Sequence, residues 1–371
     1  MDLPKTSQAM VFHEVGKPLI WTSFPLHPPE ENEAIVELEY ASICGSDLHS
    51  VFGKRKVPVP GVLGHEMIGE IVALPSTNPP HDMNGEPLAL GDRVSWAIAA
   101  SCDHCFYCED NIPQKCESLF KYGHERTDSQ YPLSGGFARH CYLAPGSKVV
   151  KLPKDIPAQL LSPANCATAT TAAAFRLAGQ TKGKSILITG AGGLGITAVA
   201  YARYLGASQV FITDKHESRL KLATSMGAHH TFIVPKDGEQ LKTEILKQTH
   251  DRGIDIILEM SGDKSAIEQG IDLLRIGGIM VWVGSVFPQE AVQLNAEQVV
   301  RKIITLKGLH NYSGEDLQEA IQFLISTRDN WDLTQLIEKE FTLERINEAF
   351  EYARLNRCLR IGINISKKEG N

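Results

Sequence analysis

The spacing Cys102-x2-Cys105-x2-Cys108-x7-Cys116 offers four thiolates to one ion. Four sulfurs close a tetrahedral zinc shell and leave no open position, so the site they predict is structural. Eight cysteines in 371 residues are too few for a disulfide scaffold, and thiols crowded in this way point to metal. A second set is dispersed along the chain: Cys44 in CGSDLH, His65 and Glu66 in GHE, and Cys166 in NCATATTAAAF. A catalytic zinc takes three protein ligands and keeps one position open, and two thiolates with an imidazole meet that requirement. Asp47, three residues after Cys44, is placed to accept a hydrogen bond from the His65 nitrogen that does not bind metal. Taken singly, a Cys or His of this kind is more often buried filler or a satisfied polar group.

Gly190-x-Gly192-x-x-Gly195 follows the apolar run SILIT and opens a segment of helical period, with Gly193 and Leu194 inside the turn. Glycines there allow a tight turn and close backbone approach, and the helix N-terminus faces a pyrophosphate. Asp214 ends the next apolar run, QVFITD, and is the residue expected to bind two ribose hydroxyls and repel the extra phosphate of NADP. NAD is therefore the expected cofactor, with Lys215 and Arg219 as basic neighbours that oppose the preference and Val283 at the end of IMVWVG as a further cofactor contact.

Two kinds of scaffold must position these groups. Up to residue 167 the chain reads as short strands broken by turn residues (AMVFHEV, EAIVELEYASIC, HEMIGEIVAL, GDRVSWAI, FARHCYLA, SKVVKLP), which predicts a mostly antiparallel, barrel-like unit. The Pro-rich stretch 75–87 reads as a surface insertion. Over 168–309, apolar strands alternate with segments of helical spacing such as ITAVAYARYLG, ESRLKLATSMG and AIEQGIDLLRIG, which predicts a parallel, doubly wound sheet. Residues 310–371 read as helical and then strand-like in LRIGINIS, returning to the first domain. The overall class is α/β.

A net charge of -7 gives no general attraction to nucleic acid or to anionic membranes. The first dozen residues show neither a secretory nor a transit pattern, and no apolar run approaches a membrane span, so a cytoplasmic location is expected.

Together, in this order and spacing, the motifs resemble the zinc-containing medium-chain dehydrogenase/reductase superfamily over essentially the whole chain. The resemblance implies a GroES-like catalytic domain wrapped around an inserted Rossmann domain, two zinc ions per chain, NAD, and interconversion of an alcohol with its aldehyde or ketone. It makes Cys44, His65 and Cys166 the catalytic ligands, with Glu66 as an adjacent carboxylate able to approach the metal. Ser46 matches the hydroxyl that takes the substrate proton and His49 the histidine that passes it on, with an ordinary turn serine and a surface histidine as the competing reading, while Arg360 corresponds either to an arginine on a cofactor phosphate or to a solvated strand-end arginine. Gly45 stands where some relatives place a pyrophosphate-binding arginine, so that contact is excluded. Relatives are dimers or tetramers, which implies a homo-oligomer. The phrases GKRKVPVPGVLGHE, IPQKCESLFKYGHE and PANCATAT more closely resemble alcohol dehydrogenases associated with bacterial phosphonate catabolism. Lys54, Arg55 and Lys56 begin ten residues after Cys44, where relatives line the substrate pocket, so some of these three with Lys121 and His124 are expected to hold an anionic, phosphonate-like group. A solvated KRK loop is the competing reading. Alternatives for the whole chain are a polyol or amino-alcohol dehydrogenase, a non-catalytic redox sensor, and a zinc-free quinone reductase, the last opposed by the cysteine sets.

Overall fold

The computed structural model describes residues 3–234 and 238–367. They form two compact units, one of 1–169, 311–324 and 334–371, the other of 170–310 and 325–333. The stretch 325–333, expected with the returning segment, belongs to the second unit.

In the first unit, alternating Val, Ile and small residues build a sheet around the strand Ala34–Ile43, which is buried along nearly its whole length. That strand pairs antiparallel with Glu66–Ala73, His140–Leu143 and Arg360–Asn364. The register sets Ser42 opposite both Glu66 and Gly362, which brings residues almost three hundred positions apart to one place. Arg93–Trp96 and Val149–Lys151 extend one side, and a three-stranded sheet ordered Ile20–Pro25, Thr6–Phe12, Gly61–Val62 stands apart from it. The fully buried Trp96, Phe12, Phe137 and Met67 fill the core, and burial of each such side chain favours folding by roughly 1.5–3 kcal/mol. Ile337–Thr342 is a strand parallel to Arg360–Asn364, where helix was expected. Its IEKEFT pattern leaves three successive residues exposed, so no apolar alternation signals it.

The second unit holds a six-stranded parallel sheet in the order His230–Ile233, Gln209–Asp214, Ser185–Thr189, Ile254–Glu259, Leu274–Trp282, Thr305–Gly308. The order reverses between Ser185–Thr189 and Ile254–Glu259, the place where doubly wound sheets bind ligands. Helices Gly193–Tyr204, Glu217–Ser225 and Lys264–Leu273 supply crossovers. The last starts on Asp263, whose side chain accepts from Ser265 N, and stops early: LRIG, expected to finish the helix, begins the strand Leu274–Trp282. No helix among the described residues is long and apolar enough to cross a membrane.

Candidate active site and cofactor cradle

Cys44 caps the short helix Gly45–Val51 at the end of Ala34–Ile43, and its N–H donates to Asp47 Oδ2 at 3.0 Å. His65 stands just before Glu66–Ala73, the neighbouring strand. Cys166 is carried to them by Asn165, whose Oδ1 accepts from Met67 N and whose Nδ2 donates to Met67 O, each at 3.3 Å. Tyr312 braces the same turn, donating to Asn165 O and accepting from Ile98 N at 3.0 Å. Neither Asn165 nor Tyr312 is flagged by a motif; the asparagine directly before the cysteine was the available signal.

The Cys44 and Cys166 sulfurs lie 3.3 and 3.4 Å from His65 Nε2. A tetrahedral zinc would hold sulfur and nitrogen about 3.6 Å apart, so the three atoms fit one ion with little adjustment. Ser46 Oγ is 2.8 Å from Cys44 Sγ and 3.2 Å from His65 Nε2, beside the same space. Asp47 Oδ1 is 3.4 Å from His65 Nδ1, an ion-pair distance without the alignment of a hydrogen bond. His49 is half-buried on the same short helix, its pKa lowered by burial and then by Lys54, so it is a neutral base near pH 7.

Glu66 does not join the metal-ligand set. It is fully buried, and its oxygens are taken by Arg360, at 2.8 Å from Nε and 2.9 Å from Nη2, and by Ser42 Oγ at 2.5 Å. Arg360 is itself buried in this pair and is no solvated strand end. Its Nη1 is buried without a partner, an N–H group that suits an anion.

Cys102, Cys105, Cys108 and Cys116 converge in the lobe, with sulfur separations of 3.5 Å (105–108), 3.9 Å (105–116) and 3.5 Å (116–102). A tetrahedral zinc with Zn–S near 2.3 Å holds sulfurs about 3.8 Å apart, and disulfide bonding is excluded by the same distances. Cys102 N donates to Cys116 Sγ and Glu117 N to Cys105 Sγ, contacts that favour thiolates.

The substrate-side residues divide. Lys54 and Lys56 are exposed, as a solvated loop would have them. Arg55 and Lys121 are half-buried and repel one another; burial first, then Arg55, brings the Lys121 ammonium down to about 8. Burial, Arg55 and Lys121 push the His124 pKa well below 6.5, and its Nδ1 donates to Tyr122 O at 2.8 Å. Its ring lies 5.7 Å from that of His65.

In the second unit, Gly192 caps the helix Gly193–Tyr204, and a Cβ there would meet only open space. A Cβ on Gly195 would fall 1.8 Å from Gly190 O, so the turn admits no other residue at that position. Gly193 and Leu194 are partly exposed at the helix N-terminus. Asp214 braces the turn by accepting from Ala191 N at 2.7 Å, and its other oxygen accepts from His216 N at 2.8 Å. Each oxygen keeps a lone pair for a ribose hydroxyl. Asp214, Lys215 and Arg219 line a cavity of about 450 Å³, within the range of ligand sites. Lys215 is paired with Asp263 at 2.8 Å, which reduces its pull on a 2′-phosphate. Val283 is buried just after Leu274–Trp282, its N–H bonded to Glu259 O. The open space over Gly192, the free helix start and the ribose-facing carboxylate fit a dinucleotide.

The chain matches the family description "Alcohol dehydrogenase GroES-like domain" over residues 30–154 and "Zinc-binding dehydrogenase" over 193–326. It is 32% identical to an L-threonine 3-dehydrogenase of Aeromonas salmonicida over 91% of this chain and 93% of that protein. A second L-threonine 3-dehydrogenase, from Aeromonas hydrophila, is 32% identical over 92% and 94%. Among solved structures, an alcohol dehydrogenase from Thermotoga maritima aligns with a TM-score of 0.90 at 32% identity, covering 97% of this chain and 99% of that one. The chain belongs to the zinc-binding, medium-chain alcohol dehydrogenase superfamily. It is a zinc-dependent, NAD-linked oxidoreductase acting on CH–OH groups.

Proposed function

We propose that the chain oxidises a small alcohol carrying an anionic group, held by Arg55 and Lys121 beside the Cys44–His65–Cys166 set. Zinc, held by Cys44, His65 and Cys166, would supply a Lewis acid for the substrate oxygen, and NAD, held by the glycine-rich turn and Asp214, would supply the hydride acceptor. Ser46 takes the hydroxyl proton and His49, neutral near pH 7, receives it. Arg360 Nη1, buried without a partner, would offer an N–H to an anionic group such as a cofactor phosphate.

One observation carries the anionic substrate: Arg55 and Lys121 are half-buried cations near the metal ligands, yet neither has an ion-pair partner among the described residues. Burying two unpaired like charges is costly unless a ligand compensates them. A carboxylate or a phosphonate meets that need. The relatives' name favours an amino alcohol with a carboxylate, the L-threonine type, over a phosphonate. The test is kcat/KM with NAD for L-threonine, a hydroxyalkylphosphonate and a neutral alcohol of equal chain length, in wild type and Arg55→Ala. The anionic alcohols should be preferred, and Arg55→Ala should erase the preference. Equal efficiency for neutral and anionic alcohols in wild type would refute it. A homo-oligomer, dimer or tetramer, completes the proposal and is read from mass in solution.

A further inference from the structure

Glu259 ends the strand Ile254–Glu259 and is fully buried. Its Oε1 accepts from Ser261 N at 2.7 Å, Ser261 Oγ at 2.8 Å and Gly262 N at 2.6 Å. Its Oε2 accepts from Gly284 N at 3.2 Å and Ser285 Oγ at 3.4 Å. Every partner is a neutral donor, and no cation pairs with Glu259 among the described residues. The carboxylate thus ties the loop after one strand to the loop after the next. The two loops touch, since a Cβ on Gly284 would sit 2.4 Å from Gly262 N. The first loop also abuts the glycine-rich turn: a Cβ on Gly190 would lie 3.0 Å from Ser261 Cβ.

A dinucleotide lies across the carboxyl ends of such a sheet where the strand order reverses. Here its adenosine half belongs with Asp214, on the Gln209–Asp214 side, so its nicotinamide half falls on the side of Ile254–Glu259 and Leu274–Trp282. The nicotinamide ring is cationic in NAD+ and neutral in NADH. We propose that Glu259 is a positioning residue whose buried, cation-free charge favours the oxidised over the reduced cofactor, in addition to fastening the loops that receive the ring. In a medium of effective dielectric about 20, a unit charge acting over a distance on the order of 10 Å is worth roughly a tenfold change in a binding ratio.

The experiment titrates zinc-loaded enzyme with NAD+, NADH and ADP-ribose, following heat or protein fluorescence, in wild type, Glu259→Gln and Glu259→Asp. In Glu259→Gln the ratio of Kd for NAD+ to Kd for NADH should rise about tenfold. Glu259→Asp keeps the charge, so both affinities fall while their ratio stays within about twofold. ADP-ribose, which lacks the ring, should bind Glu259→Gln within about threefold of wild type. An unchanged ratio in Glu259→Gln, or an equal loss of ADP-ribose and NAD+ binding, would reduce Glu259 to a structural brace and overturn the proposal. Should Glu259→Gln fail to fold, Glu259→Asp decides: a ratio displaced about tenfold there, or ADP-ribose binding lost as far as NAD+ binding, overturns it, and a held ratio with ADP-ribose within about threefold of wild type supports it.

Discussion

Removing one partner of the Arg360–Glu66 pair should destabilise the protein far more than removing both. Arg360 is 4% exposed and Glu66 0%, and two near-parallel bonds of 2.8 and 2.9 Å join them. Breaking such a buried pair from one side leaves an uncompensated charge and costs about 3–5 kcal/mol, whereas replacing both by apolar groups is often near neutral. Glu66→Met and Arg360→Met should each lower the guanidinium midpoint by roughly 0.5–1 M, taking a slope of about 5 kcal/mol/M for a chain of this size. The Glu66→Met/Arg360→Met double variant should recover most of that loss. Single variants within about 0.1 M of wild type, or a double variant with the summed loss, would refute the reasoning.

The Lys121 ammonium, at about 8, is charged below that pH and neutral above it. KM for an anionic alcohol should therefore be flat below pH 8 and rise above it, with no such rise for a neutral alcohol or in Lys121→Met. Gly195→Ala forces a Cβ onto Gly190 O, so Kd for NAD should rise at least tenfold, by calorimetry, while zinc content stays unchanged. Cys108→Ser opens a closed thiolate shell, so it should cost one zinc per chain and lower thermal stability, measured by elemental analysis and melting.

Chemistry that needs a fixed residue type at a fixed spacing was legible in the chain. The four-cysteine lobe and the glycine turn are local, and each carries its ligands or its backbone requirement within a few residues. The strand Ile337–Thr342 was not legible, because its exposed Glu-Lys-Glu run hides the apolar period. The roles of Glu66 and Arg360 depend on register across strands far apart in sequence, and no local pattern encodes that register. Of the KRK run, only Arg55 turns toward the interior, a matter of loop path that composition leaves open. Glu259 reads in sequence as one more acid at a strand end; only the fold of the two loops makes it a hub.

The most direct test is Cys44→Ser, scored for zinc per chain and for NADH formation on the same folded sample. Loss of the Cys44 thiolate should leave one zinc per chain, in the four-cysteine lobe, with turnover down at least a thousandfold, about 4 kcal/mol of transition-state stabilisation. Two zinc ions per chain with wild-type turnover would contradict a catalytic metal held by Cys44, His65 and Cys166.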